Sequence, residues 1–146
     1  MRELLWLAAW CSGAACAAAP PATLVPYRVA GDAIPAPLTS EAGDPARGRD
    51  VLAGRDANCL LCHAVPETGE RFMGNLSPPL SGVGSRLDAG RLRLRIVDSS
   101  LLNRATIMPA YYKATGLNQV AAAYRDRPIL SAQQVEDVVA YLLSLK

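Results

Sequence analysis

Residues 59–63 read Cys59-Leu60-Leu61-Cys62-His63. Two thiols stand three positions apart, with an imidazole directly after the second. The chain has 146 residues and one histidine, and His63 is that histidine. A single imidazole excludes any site that needs two or three, such as a His-rich zinc centre. A Ser-His-Asp triad would have to be built on His63. The two cysteines alone could form a structural disulfide or a thioredoxin-like redox pair. The redox pair, however, opens a helix after a strand in a βαβ setting, whereas this stretch follows a predicted helix.

The spacing suits covalent attachment of a c-type haem. Two thiols add to the two vinyl groups on one edge of the porphyrin, and the adjacent histidine reaches the iron. The rest of the composition agrees. Without residues 1–19 the chain has no tryptophan, and its aromatic residues are Tyr27, Phe72, Tyr111, Tyr112, Tyr124 and Tyr141. A porphyrin among Leu, Val and Ile would supply the bulk this core lacks. Net charge is +2 and charged residues make up 19% of the chain, which argues against a polyanionic nucleic-acid partner and against an acidic disordered chain.

Residues 1–19 are set aside because they have the layout of a secretory signal peptide. Arg2 precedes the apolar run Leu4 to Ala19, which ends in small residues. The run is too short and too rich in alanine to span a membrane. Cleavage is expected between Ala17 and Pro20, giving an exported, periplasmic protein in an oxidising compartment. A lipoprotein anchored through Cys16 is the lesser alternative, since Gly13 stands where a lipobox usually has Leu. Removal takes Cys11 and Cys16 away and leaves Cys59 and Cys62 as the only thiols.

Residues 20–43 form a Pro-rich extended arm that includes Pro20, Pro21, Pro26, Pro35 and Pro37. Val25, Tyr27, Val29 and Ile34 give it apolar side chains to bury, on its own domain or on a partner. Residues 44–146 form the globular domain. Asp44-Pro45 is a helix start, with the helix running to about Arg55 and Gly48 and Leu52 sharing a face. Residues 64–85 read as loop. Residues 91–97, RLRLRIV, alternate as a strand would, but Asp88 as a cap and the apolar spacing beyond favour a helix with its arginines on a solvated face. Ser131 and Gln134 form a capping box before Val135, Val138, Val139, Leu142 and Leu143, an amphipathic helix to the C-terminus.

A sixth iron ligand must come from elsewhere in the chain. With one histidine, bis-His ligation is impossible. Methionine raises the potential and suits electron transfer. Met73 lies ten residues after His63, while Met108 lies 45 residues after it in Thr106-Ile107-Met108-Pro109. The longer loop can cross to the opposite face, so Met108 is preferred and Met73 is read as a packing residue.

The order of helix, CxxCH, Pro-rich loop, Met-Pro loop and amphipathic C-terminal helix resembles the class I cytochromes c. The resemblance implies an all-α fold of three to four helices wrapped around one covalent haem c. It implies haem attachment through Cys59 and Cys62, with His63 and Met108 on the iron. Ser77-Pro78-Pro79-Leu80-Ser81-Gly82 resembles the family's Gly-Pro-x-Leu-x-Gly stretch, which gives the Pro78 carbonyl the task of holding the histidine Nδ1. Ser77 replaces the family's Gly. Arg86 falls where some members bind a haem propionate; Arg91, Arg93, Arg95, Tyr111 and Tyr112 are further candidates. The resemblance also sets Gly48 and Leu52 against Val138 and Tyr141.

A narrower resemblance covers nearly all of residues 20–146. Gly31 to Pro35, Gly43 to Gly48, Gln133 to Tyr141 and, above all, Arg91 to Asp98 with Thr106 to Tyr112 are similar to the SoxX family, small cytochrome subunits of bacterial sulfur-oxidation systems. That resemblance implies a heterodimer with a SoxA-like cytochrome subunit. The complex would couple thiosulfate to a cysteine of the SoxYZ carrier, as an L-cysteine S-thiosulfotransferase. Substrate chemistry would belong to SoxA, and this chain would pass electrons to a soluble cytochrome. Two other readings stay open: a free, diffusible periplasmic carrier, and an enzyme in its own right such as a haem peroxidase.

Overall fold

The structure, a computed structural model, describes residues 24–146. The expected signal peptide, Pro20 and Pro21 lie outside the described residues. Four helices carry the architecture: α1 Pro45–Ala53, the single turn α2 Val83–Arg86, α3 Ala89–Asp98 and α4 Ala132–Ser144. Short 3₁₀ turns stand at Cys59–Leu61, Pro66–Thr68, Ser99–Leu101 and Ala122–Tyr124. Among the described residues the sole β pairing is an isolated bridge between Ala30 and Ala33. No described helix is long and apolar enough to cross a membrane.

Both terminal helices start where the local chemistry dictates. The Asp44 carboxylate accepts from the Arg47 N–H at 2.8 Å, and Pro45 opens the first turn. Helix α1 stops at Ala53, short of Arg55, because Gly54 leaves helical geometry and closes on Val51 O at 3.1 Å. Ser131 and Gln134 form the full capping box, at 3.2 and 2.8 Å. Val135, Val138, Val139 and Leu142 are buried along α4, while Leu143 is half-buried.

Helices α1 and α4 cross at Gly48. A Cβ there would run into the Asp137 carbonyl and lie 2.9 Å from Tyr141 Cβ, so only glycine permits this approach. Asp137 pins the crossing. It accepts from the Asp44 N–H at 2.9 Å and from Arg47 Nε and Nη2 at 2.9 Å each. Burial works to raise the Asp137 pKa, but the bonds from Arg47, Asp44 and Gln133 outweigh it and hold the carboxyl below its ordinary value.

Residues 91–97 are helical, within α3, and Asp88 caps them by accepting from the Arg91 N–H at 2.9 Å. Their arginines do not all face solvent. Arg93 is buried, with its side chain 5% exposed, and it meets the equally buried Glu136 of α4 at 2.7 Å. Its second pair, Nη2 to Oε2, spans 2.8 Å, and its Nη1 donates to Ile34 O at 2.6 Å. The reason is pairing: a guanidinium tolerates burial when a carboxylate and a carbonyl saturate its donors. Arg91 instead reaches Asp32 at 3.0 Å on the surface.

Residues 64–85 are not wholly loop, since they contain the Pro66–Thr68 turn and most of α2. The arm lies on the domain through Ile34 and Leu38, both buried, and Glu136 accepts the Leu38 N–H at 2.8 Å. Val25, Tyr27 and Val29 do not follow Ile34 into the core and remain 36–40% exposed.

Candidate functional site

The segment after α1 is folded by its own backbone. Asn58 adopts a left-handed conformation (φ 47°) that turns the chain into the Cys59–Leu61 turn. The His63 N–H then closes on Cys59 O at 3.0 Å. Residues 74–80 run back along this segment. The N–H groups of Gly74, Ser77 and Leu80 donate to the carbonyls of Leu60, Cys62 and Ala64 at 2.7, 3.0 and 3.0 Å. This ladder brings Pro78 beside His63, whose Nδ1 donates to the Pro78 carbonyl at 2.7 Å. Nδ1 is thereby committed, and Nε2 is left as the basic nitrogen. Arg86 braces the same loop by donating to Ser81 O at 2.8 Å.

The opposite side comes from the chain after α3. The N–H groups of Tyr111 and Tyr112 donate to Ile96 O and Val97 O at 3.1 and 3.2 Å, strapping the Met-Pro loop to the end of α3. The Met108 N–H bonds Thr106 Oγ1 at 3.1 Å. Tyr111 then reaches across the molecule, its hydroxyl donating to Ala57 O at 2.8 Å, just ahead of Cys59. Burial pushes the Tyr111 hydroxyl well above its ordinary pKa.

Between these sides lies an apolar cavity of about 350 Å³. Cys59, His63, Pro78, Arg86 and Met108 all line it, with α1 contributing Leu52 and α4 contributing Val138 and Leu142. Cys62 lines a smaller adjoining cavity together with Cys59, His63 and Met108. Cys59, Cys62, His63, Pro78, Arg86 and Met108 therefore meet in one place. Met73 stands elsewhere: its sulfur accepts the Val65 N–H at 3.1 Å and it lines an open groove beside Phe72.

Of the further propionate candidates, Arg95 and Tyr111 reach the cavity. Arg91 and Arg93 are engaged by Asp32 and Glu136, and Tyr112 accepts the Val25 N–H at 2.8 Å beneath the arm. Ser99, Leu102 and Leu130 also line the cavity. No motif marks them: Ser99 opens the 3₁₀ turn after α3, and Leu102 and Leu130 stand in irregular segments without periodic signal. The donor set fits a covalently held haem: two thiols, an oriented imidazole and a thioether around an apolar cavity, with guanidinium groups at its wall.

A family model for cytochrome c matches residues 46–146. Among solved structures, a chain in the crystal structure of SoxXA from P. pantotrophus is 32% identical, with a TM-score of 0.76. The match covers 82% of this chain and 94% of that one. None of the curated proteins matches. The chain belongs to the cytochrome c family, has the class I fold and carries covalent haem c. Within that family it is SoxX-like, an electron-transfer cytochrome.

Proposed function

We propose that this chain is the electron-accepting subunit of a SoxAX-type complex that couples thiosulfate to a cysteine of a SoxYZ-like carrier. The observation that carries the reading is the cavity that gathers Cys59, His63 and Met108, with His63 oriented by Pro78 at 2.7 Å. When bound, the haem iron supplies one-electron redox chemistry.

The residues divide the work of holding it. Cys59 and Cys62 would hold the haem through thioethers. His63 would offer Nε2 to the iron, because Pro78 engages Nδ1. Met108 would offer its thioether to the iron, which favours electron transfer over peroxide or oxygen chemistry. Arg86 and Arg95 stand at the cavity wall as partners for the propionates. Joining a thiosulfate sulfur to a thiolate sulfur forms an S–S bond and releases two electrons. The SoxA-like subunit holds that reaction, and this chain passes the electrons to a soluble cytochrome.

The reading includes export to the periplasm after cleavage between Ala17 and Pro20. The test is co-expression of the full chain with the SoxA-like subunit of the same organism. A 1:1 complex carrying both haem centres, and N-terminal sequences starting at residue 18, 19 or 20, support it. A haem-loaded monomer that does not bind that subunit overturns it in favour of a free carrier.

A further inference from the structure

The loop that carries Met108 has little of its own to hold it. Residues 101–105, Ile107 and Pro109 are exposed, and Met108 is half-buried. Among the described residues, every hydrogen bond made by residues 102–110 reaches at most seven positions along the chain, the most distant pair being Ser99 Oγ and Thr106 Oγ1 at 3.4 Å. No backbone group of residues 107–110 pairs with another backbone group. A segment with few long-range ties opens locally at low cost.

Tyr111, three residues after Met108, is tied down in a different way. It is buried, and its three polar groups reach three separate parts of the chain. Its N–H donates to Ile96 O at 3.1 Å, its carbonyl accepts the Leu130 N–H at 3.0 Å, and its hydroxyl donates to Ala57 O at 2.8 Å. Ala57 is itself buried and stands two residues before Cys59. Tyr111 lines both cavities, in each case together with Cys59, His63 and Met108. The Oη–Ala57 bond therefore ties the Met108 side of the site directly to the cysteine-bearing side.

Resting on the proposed place of Met108 as sixth ligand, we infer that Tyr111 is the positioning residue for Met108. Its hydroxyl, anchored on the Ala57 carbonyl, keeps the loop closed on the cavity and so keeps the Met108 thioether in place in the oxidised protein. A soft thioether holds oxidised iron weakly, so the hold has to come from the loop. Removing the hydroxyl leaves the buried Ala57 carbonyl without a partner when the loop is closed, whereas water reaches it when the loop is open. The balance then shifts toward opening.

The test is equilibrium binding of cyanide to the oxidised, haem-loaded protein, read from the visible spectrum. Cyanide competes with Met108 for one position, so its apparent affinity scales with the fraction of molecules whose loop is open. Tyr111→Phe should raise that affinity roughly fivefold or more. Tyr112→Phe is the comparison. Tyr112 is equally buried, but its hydroxyl accepts the Val25 N–H at 2.8 Å and it lines neither cavity. Its loss should change cyanide affinity less than about twofold, whereas a general loss of stability would move both variants alike. Should Tyr111→Phe fail to take up haem, hydrogen exchange in the wild type decides. By reciprocity, saturating cyanide should speed exchange of the Tyr111 N–H roughly fivefold or more. An unchanged affinity in Tyr111→Phe, equal changes in the two variants, or a Tyr111 N–H indifferent to cyanide overturns the inference and leaves Met108 as the ligand. An oxidised wild type without the charge-transfer band of methionine ligation overturns both.

Discussion

Arg93 and Glu136 form a two-point ion pair inside the molecule, Nε to Oε1 at 2.7 Å and Nη2 to Oε2 at 2.8 Å, with both side chains 5% exposed. The pair joins three parts of the chain. Arg93 lies on α3 and Glu136 on α4. The arm is held from both ends, through Ile34 O to Arg93 and the Leu38 N–H to Glu136.

Removing one partner leaves the other charge buried and unpaired. Glu136→Ala should therefore lower stability by about 3–5 kcal/mol. The double variant Arg93→Met/Glu136→Leu should recover only part of that loss, since it removes the unpaired charge but leaves the Ile34 carbonyl and the Leu38 N–H without their partners. Denaturant unfolding of the haem-loaded protein checks both. A Glu136→Ala loss below about 1 kcal/mol would show that water reaches the pair.

Gly48 stands where two helices touch backbone to backbone. Gly48→Ala puts a methyl group into the Asp137 carbonyl and against Tyr141, and α1 must move away from α4. The expected cost is about 1–3 kcal/mol, seen as a lower Tm. Leu52 lies one turn further along α1 and lines the cavity, so the shift should also broaden the visible bands. A Gly48→Ala variant as stable as wild type contradicts the crossing geometry.

The acid limb of stability should depend on Asp137. Its carboxyl titrates below the ordinary value in the folded chain, because the hydrogen bonds from Arg47, Asp44 and Gln133 outweigh burial. Such a group contributes stability above the unfolded carboxylate value, about 3.9, and loses it as pH falls through the lower folded value. Asp98, held down by Ser100 and Lys113 against its own burial, acts in the same direction. Asp137→Asn should thus lower Tm at pH 7 and flatten its fall between roughly pH 5 and 2. An unchanged slope over that range would remove Asp137 from the linkage.

Features set by neighbouring residues were legible in the sequence. The Asp44-Pro45 start, the Ser131/Gln134 box and the CxxCH spacing each need only a few adjacent side chains. The pairing of His63 with Met108 was legible from the CxxCH motif and the length of the loop between them, whereas the place of Pro78 was legible only through the family pattern. Arg93 was misread because a run of alternating arginines looks solvated. Its partner lies 43 residues away, and pairing at that range has no local signature. A weak signal was present: Arg93 sits among Leu92, Leu94, Ile96 and Val97, and Glu136 directly follows Val135 in the apolar stretch of α4. Of Val25, Tyr27, Val29 and Ile34, which could bury on the domain or on a partner, only Ile34 is buried on the domain, because hydropathy does not say which surface a side chain faces.

Optical spectroscopy of the oxidised, haem-loaded protein decides whether one haem is held in this cavity between His63 and Met108. Wild type should show the weak long-wavelength charge-transfer band of a methionine-ligated low-spin haem. Met108→Ala should lose that band entirely, turn high-spin or water-ligated and fall in potential, while Met73→Leu keeps the band. A band that survives Met108→Ala and vanishes in Met73→Leu would rule out Met108 and assign the sixth ligand to Met73.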